Sequence, residues 1–161
     1  MSQYVTTHDE NGMSIISSKA PSERHAKDIP NGKMEILYGV HSFPPSLSTE
    51  ADVDKYAENR TQGFKNGGLS PPGGPSAAIV SFNAGASSLM HRTLSLDIMV
   101  VVEGVVEMHL DSGEVRTLKA GDSVIQRGTM HQWKNVTPND GPVKMAGMRT
   151  LLLGLVPVGS D

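Results

Sequence analysis

The chain of 161 residues contains no cysteine, which excludes a disulfide framework and any thiolate nucleophile or metal ligand. It also lacks a long apolar run, since apolar stretches such as residues 98–102 and 151–153 are far too short to span a bilayer. The N-terminal residues 1–7 lack the basic and apolar regions of a signal peptide. These absences predict a cytoplasmic protein that has no membrane partner.

The chain also lacks a large excess of positive or negative charge. The formal net charge is −3, and no basic stripe interleaved with aromatic residues is present. This pattern argues against a nucleic-acid partner. The chain also contains no nicotinamide, flavin or nucleotide fingerprint, so we expect no nucleotide cofactor.

The composition favours short strands joined by tight turns. Only 37% of the residues are hydrophobic, whereas the chain has 17 glycines and 10 prolines. Such a turn-rich chain of about one domain's length is typical of an all-β sandwich or barrel. We expect residues 1–76 to supply N-terminal strands, a short helix and a Gly/Pro-rich loop. We expect residues 77–161 to form the barrel core of the same structural domain.

Local patterns predict the individual elements. Asn11-Gly12 is typical of a tight turn between strands 4–8 and 13–17. Residues 18–31 are polar and are expected to be irregular. An apolar face at helical spacing predicts one helix over 49–59, capped by Ser48 or Thr49. The loop 66–76 is rich in glycine and proline and would be either a simple connection or a lid over a pocket. The other predicted strands are 33–38, 77–83, 89–97, 99–103, 105–111, 114–118, 123–126, 131–135 and 143–155.

A ladder of polar residues marks the candidate site. His91, Thr93, Ser95 and Asp97 share one parity of a predicted strand and would therefore share one face of the sheet. Buried sheet faces are normally built from Val, Ile and Leu. The ladder therefore indicates either a ligand cavity or a set of groups that only hydrogen-bond one another inside the protein.

Glycine-framed spacing around this ladder resembles the two motifs of the cupin superfamily. The first motif is matched by Gly85, His91, Thr93, Asp97 and Gly104, with threonine in place of the second histidine and aspartate in place of glutamate. The second motif is matched from Gly121 through His131 to Asn135, with one residue deleted and Arg127 in place of proline. The resemblance implies a single-domain jelly-roll β-barrel, usually dimeric, with its site inside the barrel.

The resemblance also implies a metal site, because cupins commonly bind one divalent metal. Carried over by position, His91, Asp97 and His131 are the candidate ligands. A set of two histidines and one carboxylate suits iron(II), although zinc, manganese or nickel would also bind to it. The alternative is a site without metal, in which Asp97 and His131 act as acid and base while Ser95 and Thr93 orient the substrate.

Other residues are candidates for contact with a substrate. Trp133 shares the parity of His131 and would form an aromatic wall, or would simply pack in the core. Met99 continues the inward parity beyond Asp97. Gln126 is expected near the barrel mouth, and Arg149 would bind a carboxylate or phenolate if it points inward.

The opposite face of the same strand indicates a second subunit. Ile98, Val100 and Val102 alternate with the inward residues and are just as apolar. A strand that is apolar on both faces needs a cover, which another sheet or a second copy of the chain would provide. We therefore expect a homodimer.

Three functional hypotheses remain open. The leading one is an enzyme of lyase or isomerase type that performs decarboxylation, dehydration or cyclisation on an oxygenated carboxylic or polyketide-like small molecule. The resemblance to single-domain cupins of specialised-metabolite pathways suggests this substrate class. The alternatives are an iron-dependent dioxygenase with a His/Asp/His site and a non-catalytic small-molecule binding protein.

Overall fold

The computed structural model describes residues 2–60 and 73–151. This part of the chain contains eleven strands, one α-helix and one 3₁₀ turn. The strands are β1 (Thr6–His8), β2 (Ser14–Ile16), β3 (His25–Ile29), β4 (Gly32–Gly39), β5 (Ser76–Phe82), β6 (Ser95–Glu103), β7 (Val105–Leu110), β8 (Val115–Lys119), β9 (Ser123–Arg127), β10 (His131–Asn135) and β11 (Val143–Leu151). The helix α1 spans Ala51–Asn59, and the 3₁₀ turn spans Pro138–Asp140.

The strands form two larger sheets and one hairpin, and all of the strand pairs are antiparallel. One sheet has the order β3-β4-β5-β11-β6-β9, and the other has the order β10-β7-β8, while β1 and β2 pair with each other. The main hydrophobic core joins Phe82, Val101 and Met145 of the first sheet to Val106 and Trp133 of the second. Because the two sheets close over one interior, the predicted all-β jelly-roll barrel with one short helix is confirmed.

One edge strand was missed by the sequence prediction. Residues 18–31 were expected to be irregular, but His25–Ile29 forms β3 and pairs with β4 at the edge of the large sheet. The three central residues of β3 are exposed, so the strand has none of the apolar alternation that identifies a half-buried strand.

The predicted strand over 89–97 is wrong in its first half. Regular pairing begins only at Ser95, and β6 then runs without a break to Glu103 across the predicted boundary between two strands. His91 is held by a single isolated bridge, in which its backbone N–H and C=O both bond to His131 at 2.9 Å. Residues 89–94 therefore cross to the second sheet at one point and do not extend the first sheet.

The helix begins at Ala51, two residues later than predicted, and its N-cap residue is Glu50. The Glu50 side chain makes no capping hydrogen bond, although Thr49 Oγ1 accepts one from the Ala51 N–H at 3.4 Å. Val53 and Tyr56 are buried. Residues 66–72 of the predicted loop and residues 152–155 of the last predicted strand lie outside the described residues.

The glycines that frame the two motifs occupy turns. Gly85, Gly104 and Gly121 have φ values of 63°, 82° and 94°, a region that favours glycine. At Gly104 a side chain is also excluded by space, because a Cβ atom would lie 2.5 Å from the carbonyl oxygen of Pro142. No helix within residues 2–60 and 73–151 has the length and apolar character that a bilayer crossing requires.

Candidate active site

A cavity of about 490 Å³ lies inside the barrel. Its walls are mostly apolar, and most of its polar residues come from the two motifs and from β11. Strand register places Asp97 of β6 directly between Gln126 of β9 and Arg149 of β11. Further along the strands the cavity is lined by Met99 beside Gly147 and then by apolar residues of β4, β5 and β11. The cavity therefore has a polar level, formed where Asp97, Gln126 and Arg149 lie side by side, and an apolar part further along the strands.

Asp97 is held in place by Thr93. The hydroxyl of Thr93 donates a hydrogen bond to Asp97 Oδ2 at 3.0 Å. The other carboxylate oxygen, Oδ1, is buried and has no hydrogen-bond partner among the described residues, and the residue as a whole is 7% exposed. A buried carboxylate oxygen without a donor is costly for the fold.

His91 and His131 form a pair of rings whose centroids are 4.4 Å apart. Nδ1 of His91 lies 2.8 Å from the Leu89 carbonyl oxygen, and Nδ1 of His131 lies 2.9 Å from the Thr129 carbonyl oxygen. Because a carbonyl oxygen only accepts hydrogen bonds, each Nδ1 carries a proton when the ring is neutral. In both rings Nε2 is then the nitrogen with a free lone pair.

Burial lowers the pKa of His131 below its usual value of 6.5, and the neighbouring His91 acts in the same direction. The hydrogen bond to Thr129 and the charge of Asp97 oppose this shift without reversing it. The residue is only 2% exposed. His131 is therefore neutral at pH 7, with Nε2 able to accept a proton or bind a metal.

The predicted set of metal ligands is only partly assembled. The two histidines fit a divalent metal, since both rings line one cavity and both have Nε2 free. Asp97 does not join them, because within residues 2–60 and 73–151 no three His, Asp or Glu side chains lie close enough together to hold a metal. The Asp97 side chain is one methylene shorter than glutamate and is hydrogen-bonded to Thr93, which occupies the position of a further histidine. The complete His/Asp/His set therefore does not fit a metal in this arrangement.

The structure places the predicted substrate-contact residues as follows. Thr93, Met99, Gln126, Trp133 and Arg149 all line the cavity. The ring of Trp133 stands edge-on to His131, with the centroids 5.8 Å apart. Gln126 is 3% exposed, and its Nε2 contacts the sulfur of Met108 at 3.8 Å.

Ser95 is the exception among the predicted site residues. It is fully buried and is not one of the residues that line the cavity. Its hydroxyl accepts a hydrogen bond from Arg149 Nη2 at 3.4 Å. Ser95 therefore contacts Arg149 and does not face the cavity. The predicted direct contact between Ser95 and a substrate is wrong.

Several lining residues escaped the sequence analysis. They belong to β3, β4, β5 and β11, to the turn between β3 and β4 and to the loop that follows β5, and they include Ile29, Met34, Ser88, Leu89 and Gly147. Apolar alternation in β4 was the available signal for Met34. Leu89 and Ser88 gave no signal, since they lie in an irregular segment that only the tertiary fold brings to the cavity.

Comparison with known proteins identifies the family. No protein-family model matches the chain. The chain is 34% identical to phomopsin biosynthesis cluster protein C' of Diaporthe leptostromiformis, over 99% of this chain and 88% of that protein. It is 35% identical to the cupin-domain-containing oxidoreductase srdB of Neurospora crassa, over 89% of this chain and 69% of that protein. Among solved structures, the Cnp3 cupin domain of Schizosaccharomyces pombe matches with a TM-score of 0.56 and 14% identity, over 93% of this chain and 87% of that domain. With two glycine-framed motifs around one barrel cavity and cupin relatives along most of its length, the chain belongs to the cupin superfamily.

Proposed function

We propose that the chain is a small-molecule enzyme of secondary metabolism that performs proton-transfer chemistry, of lyase or isomerase type, on an oxygenated metabolite inside the barrel. The observation that carries this proposal is the polar level of the cavity, where Asp97 lies between Gln126 and Arg149 and shares the cavity with the neutral His131. An apolar cavity with a few convergent polar groups is the usual form of a substrate site. Relatives named for biosynthesis clusters support the metabolic setting.

His131 is the proposed base. Its Nδ1–H is committed to the Thr129 carbonyl, which fixes the ring and leaves the lone pair of Nε2 for a substrate proton. The lowered pKa keeps that nitrogen unprotonated near neutral pH. In a dehydration, Nε2 would take the proton from a carbon next to a carbonyl group.

Asp97 is the proposed acid. The hydrogen bond from Thr93 fixes the carboxyl group, and in the dehydration this group would pass a proton to the departing hydroxyl, so that water leaves as the carbon–carbon double bond forms. The proton taken by His131 and the proton lost by Asp97 are then exchanged with solvent, which resets both groups. Thr93 is a positioning residue in this scheme.

The apolar walls contribute by excluding water from the reacting atoms. Met99 and Trp133 contact the body of the substrate, while Gln126 offers an amide to one of its oxygens. A divalent metal (iron, zinc, manganese or nickel), when bound through His91 and His131, would supply a Lewis acid that polarises a substrate oxygen.

Substitution of Asp97 by asparagine tests the acid assignment. With a substrate found by screening oxygenated carboxylic and polyketide-like metabolites, Asp97→Asn should lower kcat by about a hundredfold or more, the usual contribution of a positioned acid or base. Asp111→Asn is the matched control, because Asp111 is exposed and lies outside the cavity. Full activity of Asp97→Asn would refute the assignment.

An iron-dependent dioxygenase is the second candidate. It is supported by the two available Nε2 atoms and by relatives that are named cupin-domain-containing oxidoreductases. Metal analysis of protein purified without a histidine tag, combined with oxygen-uptake measurements, separates the two candidates. Stoichiometric iron with substrate-dependent oxygen uptake favours the dioxygenase, whereas turnover without oxygen uptake favours the lyase or isomerase.

We also propose that the enzyme is a homodimer. Ile98 and Val100 of β6, Ile125 of β9 and Met148 of β11 expose between 39% and 58% of their surface on the outer side of the large sheet. Register brings Ile98 directly between Ile125 and Met148, so these side chains form one apolar strip. Such a strip on a sheet is a candidate interface, and the expected cover is a second copy of the chain.

A further inference from the structure

We infer that the cavity selects ligands that carry one carboxylate on an apolar body, and that Arg149 binds this carboxylate. The inference rests on the proposed function in that it names the substrate class of the same site. The binding that it predicts can nevertheless be measured without turnover.

Arg149 is a cation whose side chain makes one hydrogen bond to the part of the chain that the structure describes. Its guanidinium group has five N–H donors, of which one makes a long bond of 3.4 Å to Ser95. Its Nε atom is buried and has no hydrogen-bond partner among the described residues. No carboxylate in residues 2–60 and 73–151 lies within ion-pair distance of the group. A partly buried cation in this state is matched by an anion from outside the chain.

Asp97 is the obvious internal partner, and it is engaged elsewhere. Arg149 and Asp97 are directly opposite in the register of β11 and β6, a placement that normally brings opposite charges together. Instead, the carboxylate of Asp97 accepts from Thr93 and the guanidinium group of Arg149 donates to Ser95. The two side chains are thus hydrogen-bonded to Thr93 and Ser95 and not to each other, and Arg149 remains available to a ligand.

The other residues that line the cavity indicate what kind of molecule would carry the ligand's carboxylate. Apart from Asp97, Arg149 and the two histidines, none of the described residues that line the cavity has an ionisable side chain. The walls beyond the polar level include Met34, Phe82 and Trp133. A cavity of about 490 Å³ falls in the range that holds a small organic ligand. The fitting ligand is therefore a monoanion with an apolar, ring-sized body.

Calorimetric titration with 2-naphthoate and with its neutral analogue 2-naphthamide tests this inference. The two probes have nearly the same shape and differ in charge. Wild-type protein should bind 2-naphthoate roughly ten- to a hundredfold more tightly, the gain expected of a charge-assisted, bidentate contact. Arg149→Gln should remove this preference and leave the affinity for 2-naphthamide unchanged.

Two further variants serve as controls. Arg127→Gln removes an exposed arginine of the neighbouring strand β9 and should retain the full preference for the anion. Arg149→Lys keeps the charge without the planar fork and should retain part of the preference, which supports the inference even if Arg149→Gln does not fold. Equal affinity of wild-type protein for both probes, absence of binding by the folded protein, or an unchanged preference in folded Arg149→Gln would overturn it. If Asp97→Asn is fully active while naphthoate binding still depends on Arg149, the acid–base proposal fails and this inference stands.

Discussion

Replacement of Asn135 by alanine should be among the most damaging substitutions in the barrel, although Asn135 has no proposed role in catalysis. The residue closes the second motif and is 2% exposed. Its Nδ2 donates to the carbonyl oxygens of Asn83 at 2.8 Å and Gly141 at 2.9 Å, with a longer contact to Phe82 at 3.3 Å. Its Oδ1 accepts from the Thr137 N–H at 2.9 Å. One side chain thus ties the loops after β5 and β10 together.

The cost can be worked out from these contacts. An amide has two N–H donors, so the three donated contacts count as about two good hydrogen bonds, and the bond from Thr137 makes a third. At about 1 kcal/mol for each bond, Asn135→Ala should destabilise the fold by roughly 3 kcal/mol, and by more where the abandoned groups stay buried. For a chain of this length the melting temperature should fall by roughly 6–12 °C.

Urea unfolding followed by circular dichroism measures this loss. Asn83→Ala is the matched control, because the Asn83 side chain is exposed and only its backbone accepts the bond from Asn135. The control should change the free energy of unfolding by no more than about 0.5 kcal/mol. A loss below about 1 kcal/mol in Asn135→Ala would refute the assignment of this motif residue as a structural tie.

Three other predictions concern the cavity, the pH response and the outer sheet face. Gly147→Ala would place a methyl group 2.1 Å from the sulfur of Met99, so it should destabilise the fold by about 1–3 kcal/mol and weaken naphthoate binding, and a fully stable variant with unchanged affinity would contradict this packing. Because the pKa of His131 is lowered in the folded protein, the unfolded state binds the proton more readily; His131 should therefore cost no stability above pH 6.5, and stability should fall as the pH drops below that value. Urea titrations across this pH range should show that the free energy of unfolding depends less steeply on pH in His131→Gln than in the wild-type protein. The same pH dependence in both proteins would contradict the lowered pKa of His131. Val100→Lys should convert the proposed homodimer to a monomer in sedimentation analysis, whereas an unchanged sedimentation coefficient would exclude this face as the interface.

The fold and the location of the cavity were accessible from the sequence, because tight turns leave local signals. The glycines at 85, 104 and 121 frame the motifs and all adopt positive φ. The resemblance of this glycine-framed spacing to the cupin motifs located His91 and His131, whose ring centroids the fold brings to 4.4 Å. Turn chemistry is local, so a linear pattern can encode it.

The finer arrangement of the site was not accessible, because it depends on contacts between distant segments. Parity placed Ser95 with His91, but the strand begins only at Ser95, and the residues before it follow a path set by one bridge to β10. The orientation of Arg149 was undecided, since both faces of β11 have mixed polarity. Strand pairing with β6 is what places it beside Asp97.

Proton exchange in deuterium oxide tests the central claim most directly. Oxygenated carboxylic and polyketide-like metabolites are incubated with the protein in D₂O and followed by proton NMR, which detects both product formation and exchange at the carbon next to the carbonyl group. We expect the wild-type protein to catalyse exchange or turnover, His131→Gln to lose it, and the matched control His109→Gln to keep it, because His109 pairs with Glu107 outside the cavity. Exchange that continues undiminished in folded His131→Gln, or its absence from the wild-type protein with every metabolite, would contradict an acid–base site in this barrel.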